Sequence, residues 1–193
     1  ESLGSFYDNR HTGTFGLLGT ISFNGNKIIT TGGGGIVLTD DDQLAKRAKH
    51  LTTTAKIPHK YEFSHDEVGF NYRLPSLNAA LGCAQMEQLN QIIQIKDQIA
   101  VRYRSFFETI GVEMVNPLEQ CRTNNWLNAI VLKDKKQRNE FLEYTNEMNV
   151  MTRPIWRLMS DLEMFRDCQK DGLENSRWLE ERVVNIPSSV PDE

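Results

Sequence analysis

Between residues 16 and 39 the sequence sets two short apolar runs on either side of a turn, a lysine and four consecutive glycines, and no other stretch limits the fold as tightly. Gly16-Leu17-Leu18-Gly19-Thr20-Ile21-Ser22-Phe23 has strand character and runs into the turn-forming Asn24-Gly25-Asn26, which presents Lys27. Ile28, Ile29 and the glycines Gly32 to Gly35 follow, then a second short strand, Ile36-Val37-Leu38-Thr39. A lysine just past a strand end, beside a serine hydroxyl and backbone without side chains, has the parts of a site for a phosphate-bearing aldehyde. The amine would condense with the aldehyde to a Schiff base. Ser22 and nearby amides would bind the phosphate, and the glycines allow the close approach that a Cβ would block. To attack, the amine must be neutral, which calls for desolvation or a neighbouring cation. The same residues also suit a solvated surface lysine beside a flexible turn. A Walker loop is excluded, because no Gly-Lys-Ser/Thr follows the glycines.

The rest of the chain alternates helix and strand. Asp40-Asp41-Asp42 suits the start of a helix over 43–51, where acids complement the helix dipole. Residues 58–75 are aromatic and polar without a clean period and read as an ordered connecting loop. From Pro75-Ser76 a helix is predicted as far as Gly111, with Leu77, Ala80, Leu81 and Ala84 as its buried stripe, continued by Met86, Leu89 and Ile93. Beyond it come a strand over 127–132, a helix over 136–148, further helix near 160–166 and 174–182, and a last strand over 183–186. The expected fold class is α/β, with domains at residues 1–94 and 95–193.

Composition narrows the classes of function. The net charge of −4 comes from interspersed acids and bases and leaves no polybasic face for nucleic acid. The three cysteines, Cys83, Cys121 and Cys168, form no Cys-x-x-Cys pair, against a disulfide framework or a zinc site, and a reducing cytoplasm fits best. No metal site is expected. No apolar run approaches the roughly 20 residues of a membrane span. The opening Glu1-Ser2-Leu3-Gly4 has neither a basic lead nor an initiator Met, so the sequence is expected to begin mid-protein.

Two motifs together carry a resemblance. Ser22-Phe23-x-x-x-Lys27 with Thr30-Thr31-Gly32-Gly33-Gly34-Gly35-x-Val37-x-Thr39-Asp40 resembles the lysine segment of the DegT-type nucleotide-sugar aminotransferases, fold type I pyridoxal-phosphate enzymes. Gly69-Phe70-Asn71-Tyr72-Arg73-Leu74, leading into Asn78-Ala79-Ala80-Leu81-Gly82-x-Ala84-Gln85, resembles the family's Gly-x-Asn-Tyr-Arg segment and the helix after it. The resemblance extends over essentially the whole chain. His65-Asp66-Glu67-Val68-Gly69, Arg153-Pro154-Ile155-Trp156 and Asn185-Ile186-Pro187-Ser188-Ser189 are most similar to enzymes that aminate UDP-linked 4-keto-6-deoxy sugars on bacillosamine-like or legionaminic-acid-like routes.

The resemblance implies the later part of a pyridoxal-phosphate-binding large domain at 1–94 and a smaller C-terminal domain at 95–193. It implies an amino group passed, from L-glutamate, to a keto carbon of a nucleotide-linked sugar. Lys27 would form the internal aldimine and then act as the proton carrier. Ser22 would bind the cofactor phosphate. Asn71 would reach the phosphate in the neighbouring subunit of a homodimer with shared sites. Glu1 would stand near the phenolic oxygen of pyridoxal 5'-phosphate. Arg73 would bind substrate or brace its loop against a carboxylate, and His65 would line the sugar site or serve as a structural hydrogen-bonding group. Arg153 and Trp156 would contact nucleotide or sugar, unless Trp156 fills the core. The cofactor's ring clamp and pyridinium partner are expected upstream of Glu1, which leaves open a chain that folds without binding the cofactor. A related dehydratase carries histidine where this chain has Lys27.

Overall fold

The computed structural model describes residues 1–191. In chain order its elements are β1 (Phe6–Tyr7), β2 (Arg10–His11), β3 (Gly19–Ser22), β4 (Gly35–Leu38), α1 (Asp42–Thr52), α2 (Ser76–Thr109), β5 (Glu113–Met114), β6 (Cys121–Arg122), β7 (Asn128–Val131), α3 (Lys135–Glu147), β8 (Arg153–Pro154), α4 (Glu174–Glu180) and β9 (Val183–Ile186). The fold is α/β. Two compact units divide it: residues 1–94 with 118–124, and residues 95–117 with 125–191. Among the described residues no helix is long and apolar enough to cross a membrane, and the three cysteines are free thiols.

The first unit is built on the antiparallel pairing of β3 with β4, from Gly19 opposite Leu38 to Ser22 opposite Gly35. The connection between them carries Lys27 and the glycines. At Gly35 a glycine is required by contact: a Cβ there would lie 2.4 Å from the carbonyl oxygen of Ile21. Ile21, Phe23, Ile28, Ile29 and Thr31 form the buried floor beneath this connection. α1 starts where Asp41 Oδ1 accepts from the amides of Gln43 and Leu44 at 2.8 and 3.0 Å. Asp42 lies in its first turn and Lys49 and His50 in its last, each matching the sign of the helix dipole at that end. β1 pairs with both β2 and β6, three two-residue strands too short for any alternation to register.

α2 corrects the predicted stripe. Leu77, Leu81 and Met86 are exposed, whereas Asn78 Nδ2 donates to the Thr31 carbonyl at 2.6 Å and Gln85 Oε1 accepts from the Thr30 amide at 3.3 Å. A Cβ on Gly82 would stand 2.9 Å from Thr31 Cγ2, and Ile93 packs under Gly4. The packed face therefore runs Asn78, Gly82, Gln85, Ile93. The backbone groups at 30 and 31 need polar partners, and the helix turns its amides toward them in place of its leucines.

The second unit is a four-stranded antiparallel sheet in the order β5, β7, β9, β8. Ile130, Leu132, Val184 and Ile186 pack with Phe107 and Met114, flanked by Tyr103, Phe141 and Leu142. The Asp134 side chain caps α3 at the Gln137 amide, 2.8 Å away. Pro154 is tolerated because β8 lies at the sheet edge, where a missing N–H costs no ladder bond. Near 160–166, where a helix is predicted, the chain makes only two single 3₁₀ turns, Met159–Asp161 and Glu163–Phe165. Buried Lys96 donates from Nζ to the carbonyls of Ser188, Trp126 and Asn125 at 2.5, 3.3 and 3.5 Å.

Candidate active site

The Lys27 amide donates to the Asn24 carbonyl at 3.0 Å, closing the turn that the Asn-Gly-Asn sequence calls for. Ile28 and Ile29 then dive into the core, so the lysine is anchored on its carboxyl side while its side chain runs along the unit. That side chain is 14% exposed, and its amine meets Glu1 Oε1 at 2.7 Å. The neighbour is an anion, not the cation that the sequence reading offered as one route to a neutral amine.

Glu1 is held by a residue that sequence reasoning missed. Asn124, 4% exposed, donates from Nδ2 to the carbonyls of Glu1 and Leu3 at 2.7 and 2.9 Å. Its own amide donates to Ser5 Oγ at 3.0 Å. Nothing in Thr123-Asn124-Asn125 distinguishes this side chain from an ordinary polar loop. Its role comes from the return of the chain at β6 beside β1.

Ser22 and Arg73 line one cavity of about 650 Å³, together with Gly33, Gly34, Gly35 and Asn78. Among the described residues no ion pair joins Arg73 to a carboxylate. Asn71 bridges Thr53 at the end of α1, and Phe70 and Tyr72 stack their rings at 5.2 Å beside it. His65 Nδ1 meets the Thr54 carbonyl at 2.6 Å. Lys27 with Glu1, and Ser22 with Arg73, are thus brought together; Asn71 and His65 stand on the segment that leads to Arg73.

Arg153 and Trp156 belong to the second unit. Arg153 is exposed on β8, with Nη2 3.5 Å from Met151 Sδ. Trp156 is 68% exposed and lies against Trp126 with ring centroids 6.4 Å apart and planes 21° off parallel. A core role for Trp156 is ruled out by that exposure. Trp126 is a second site candidate absent from the sequence reading.

The geometry thus holds a lysine amine against a carboxylate, and a serine and an arginine on one glycine-walled cavity, in an α/β chain. The chain belongs to the DegT/DnrJ/EryC1/StrS aminotransferase family, which it matches over residues 1–191. It is 34% identical over 166 residues to the putative pyridoxal phosphate-dependent aminotransferase EpsN of Bacillus subtilis, covering 86% of this chain and 42% of that protein. It is 33% identical over 190 residues to the GDP-perosamine synthase of Escherichia coli O157:H7, covering 97% and 51%. Among solved structures, Helicobacter pylori PseC, an aminotransferase involved in the biosynthesis of pseudoaminic acid, superposes with a TM-score of 0.90 at 22% identity, covering 97% of this chain and 52% of that one. The chain spans about half the length of the curated relatives it matches.

Proposed function

We propose that the whole protein transfers an amino group from L-glutamate to a keto carbon of a nucleotide-linked deoxy sugar, with pyridoxal 5'-phosphate held on Lys27. The observation that carries this is the Lys27 amine at 2.7 Å from Glu1 within an otherwise covered side chain. The aldehyde and phenolic oxygen of pyridoxal phosphate sit on adjacent ring atoms, so a carboxyl group beside the amine is also within reach of that oxygen. The residues present suit the group: the Lys27 amine for the aldehyde, the Ser22 hydroxyl for the phosphate, and glycine backbone at Gly33–Gly35 lining the same cavity as Ser22. When bound, the cofactor supplies an electron sink for the carbanion left by proton removal. Lys27 Nζ carries that proton, and Ser22 and Asn71 hold the phosphate, Asn71 from the neighbouring subunit of a homodimer. Arg73, His65, Arg153 and Trp156 contact the sugar nucleotide. The large-domain reading of residues 1–94, the small-domain reading of 95–193 and a cytoplasmic location belong to the same proposal.

The sugar is a 4-keto-6-deoxy-N-acetylhexosamine on UDP, aminated at C4, a reading that rests on the segments around His65, Arg153 and Asn185. The similarity to a GDP-perosamine synthase makes the GDP-linked 4-keto-6-deoxy sugar its direct competitor. Borohydride reduction after incubation with pyridoxal phosphate, followed by peptide mapping, tests the cofactor site. An adduct on the Lys27 peptide that L-glutamate removes supports the proposal; no adduct sinks it. Turnover of the UDP-linked against the GDP-linked keto sugar then decides the nucleotide.

A further inference from the structure

Gly69 to Arg73 carries two of the proposed site residues on a segment with almost no core of its own. Tyr61, Phe63, Val68 and Tyr72 are 75%, 80%, 81% and 71% exposed, so apolar burial cannot fix where Asn71 and Arg73 stand. Polar contacts fix it. The Phe70 amide donates to the Leu51 carbonyl at 2.7 Å and the Tyr72 amide to the Thr52 carbonyl at 2.9 Å, both at the end of α1. The Thr54 amide returns a bond to the Phe70 carbonyl at 2.9 Å. At the crossing a Cβ on Gly69 would lie 2.4 Å from Ala55 N, so the two backbones touch there. Thr54 and Ala55 hold φ of 70° and 47°, left-handed values that non-glycine residues keep only where surrounding contacts impose them.

Two charged pairs join α1 to the residues just before Gly69. Arg47 and His50 lie three residues apart and so share a face of α1. The Arg47 guanidinium grips both oxygens of Glu67, the Nη2 contact at 2.6 Å, and His50 Nε2 donates to Asp66 Oδ1 at 2.7 Å. Only Val68 separates these acids from Gly69. Ligand atoms of His50, Asp66 and Glu67 all lie within 4.8 Å of one another. The guanidinium already supplies the cation that such a cluster invites, so the group is a clamp and not an open metal site.

We infer that Arg47 and His50, through Glu67 and Asp66, are positioning residues that set the register of the Gly69 to Arg73 segment and hence the placement of Asn71 and Arg73; this rests on the cofactor and substrate roles proposed above for those two residues. Exposed ion pairs contribute little to global stability. The clamp therefore acts on local order, and its loss shows in the segment and its ligands while the unfolding midpoint stays put.

The test compares wild-type protein, Glu67→Gln, and the charge swap Arg47→Glu with Glu67→Arg. It reads amide exchange at Phe70 and Tyr72 without cofactor, the Kd for pyridoxal phosphate and the urea midpoint. Glu67→Gln is expected to speed exchange at both amides about tenfold and to weaken cofactor binding by a similar factor, at an unchanged midpoint, with the swap restoring both. Exchange and Kd that stay at wild-type values overturn the inference, as does faster exchange with unchanged Kd. Wild-type protein that takes up no pyridoxal phosphate sinks the reading of Lys27 instead, and the exchange rates still decide whether the clamp orders the segment.

Discussion

Lys27 Nζ lies 2.7 Å from Glu1 Oε1, across 26 residues of sequence, and the lysine side chain is the covered partner at 14% exposure against 57% for the glutamate. The carboxylate aims the amine and keeps it from wandering into solvent. Lys27→Ala should abolish the borohydride-trapped adduct and lower kcat by at least about 10²–10⁴-fold, the range for losing a positioned proton carrier. Glu1→Gln preserves a hydrogen-bonding partner for the amine and should retain the adduct with a smaller loss. Glu1→Ala should bind cofactor more weakly than Glu1→Gln. Peptide mapping and cofactor titration separate these outcomes.

Gly35 sits opposite Ser22 in the β3–β4 pairing, with a would-be Cβ 2.4 Å from the Ile21 carbonyl oxygen. Backbone cannot retreat as a flexible side chain can, so the strands must part at the point that carries Ser22. Gly35→Ala should destabilise the protein by about 1–3 kcal/mol, as overpacking does. It should also weaken pyridoxal phosphate binding. A control, Gly25→Ala, meets nothing within 4 Å and should leave both the urea midpoint and the cofactor Kd unchanged.

What the sequence made legible follows from the range of the interaction concerned. The strand, turn and lysine at 16–27, the acidic helix start at Asp40–Asp42 and the strand within 127–132 are local patterns, and the fold keeps them. The predicted α2 stripe holds at Ile93 but not at Leu77, Leu81 and Met86. Which face packs was decided by unpaired backbone at Thr30 and Thr31, some 50 residues away in sequence. Asn124 and Trp126 were invisible for the same reason. Each gains its role from a distant segment, the first from residues 1–5 and the second from Trp156.

Acid should loosen the fold in a defined direction. Arg177 holds the Asp161 carboxyl below the usual carboxylate range, and the amide of Gln137 does so for Asp134. Groups whose folded values are depressed add stability that is fully present above the ordinary aspartate value of 3.8. That stability is lost as pH falls through the lower folded values. The urea midpoint should be level above about pH 5 and fall steadily below it, and the fall should be shallower in Asp161→Asn than in wild type. Equal slopes would show that the Asp161–Arg177 pair contributes nothing.

Lys96 should behave in the opposite chemical sense. Burial disfavours its ammonium and holds its value below the ordinary 10.5. Between the lowered value and 10.5 the unfolded chain binds more protons, so wild type should gain stability relative to Lys96→Met as pH rises through that window. At neutral pH, Lys96→Met should cost about 1–3 kcal/mol, because the carbonyl of Ser188 loses a donor at 2.5 Å in a buried setting. Denaturant titrations of the two proteins at neutral and alkaline pH measure both effects.

Trp156 offers an exposed aromatic face backed by Trp126, beside the cationic Arg153 on the edge strand. A stacked indole beneath the outer ring restricts its rotation, so a base lying on it meets a surface that is already ordered. Stacking of a nucleobase on an aromatic side chain is worth about 1–3 kcal/mol, which corresponds to a rise of about 5- to 150-fold in KM for the sugar nucleotide on Trp156→Ala. On the proposed role, in which the indole meets the carrier and not the reacting carbon, kcat should change far less. Trp126→Leu should show a smaller rise, since it removes the support but leaves the face. Free UDP or GDP should quench the tryptophan fluorescence of wild type and not of Trp156→Phe. An unchanged KM in Trp156→Ala would remove this residue from the proposed substrate site.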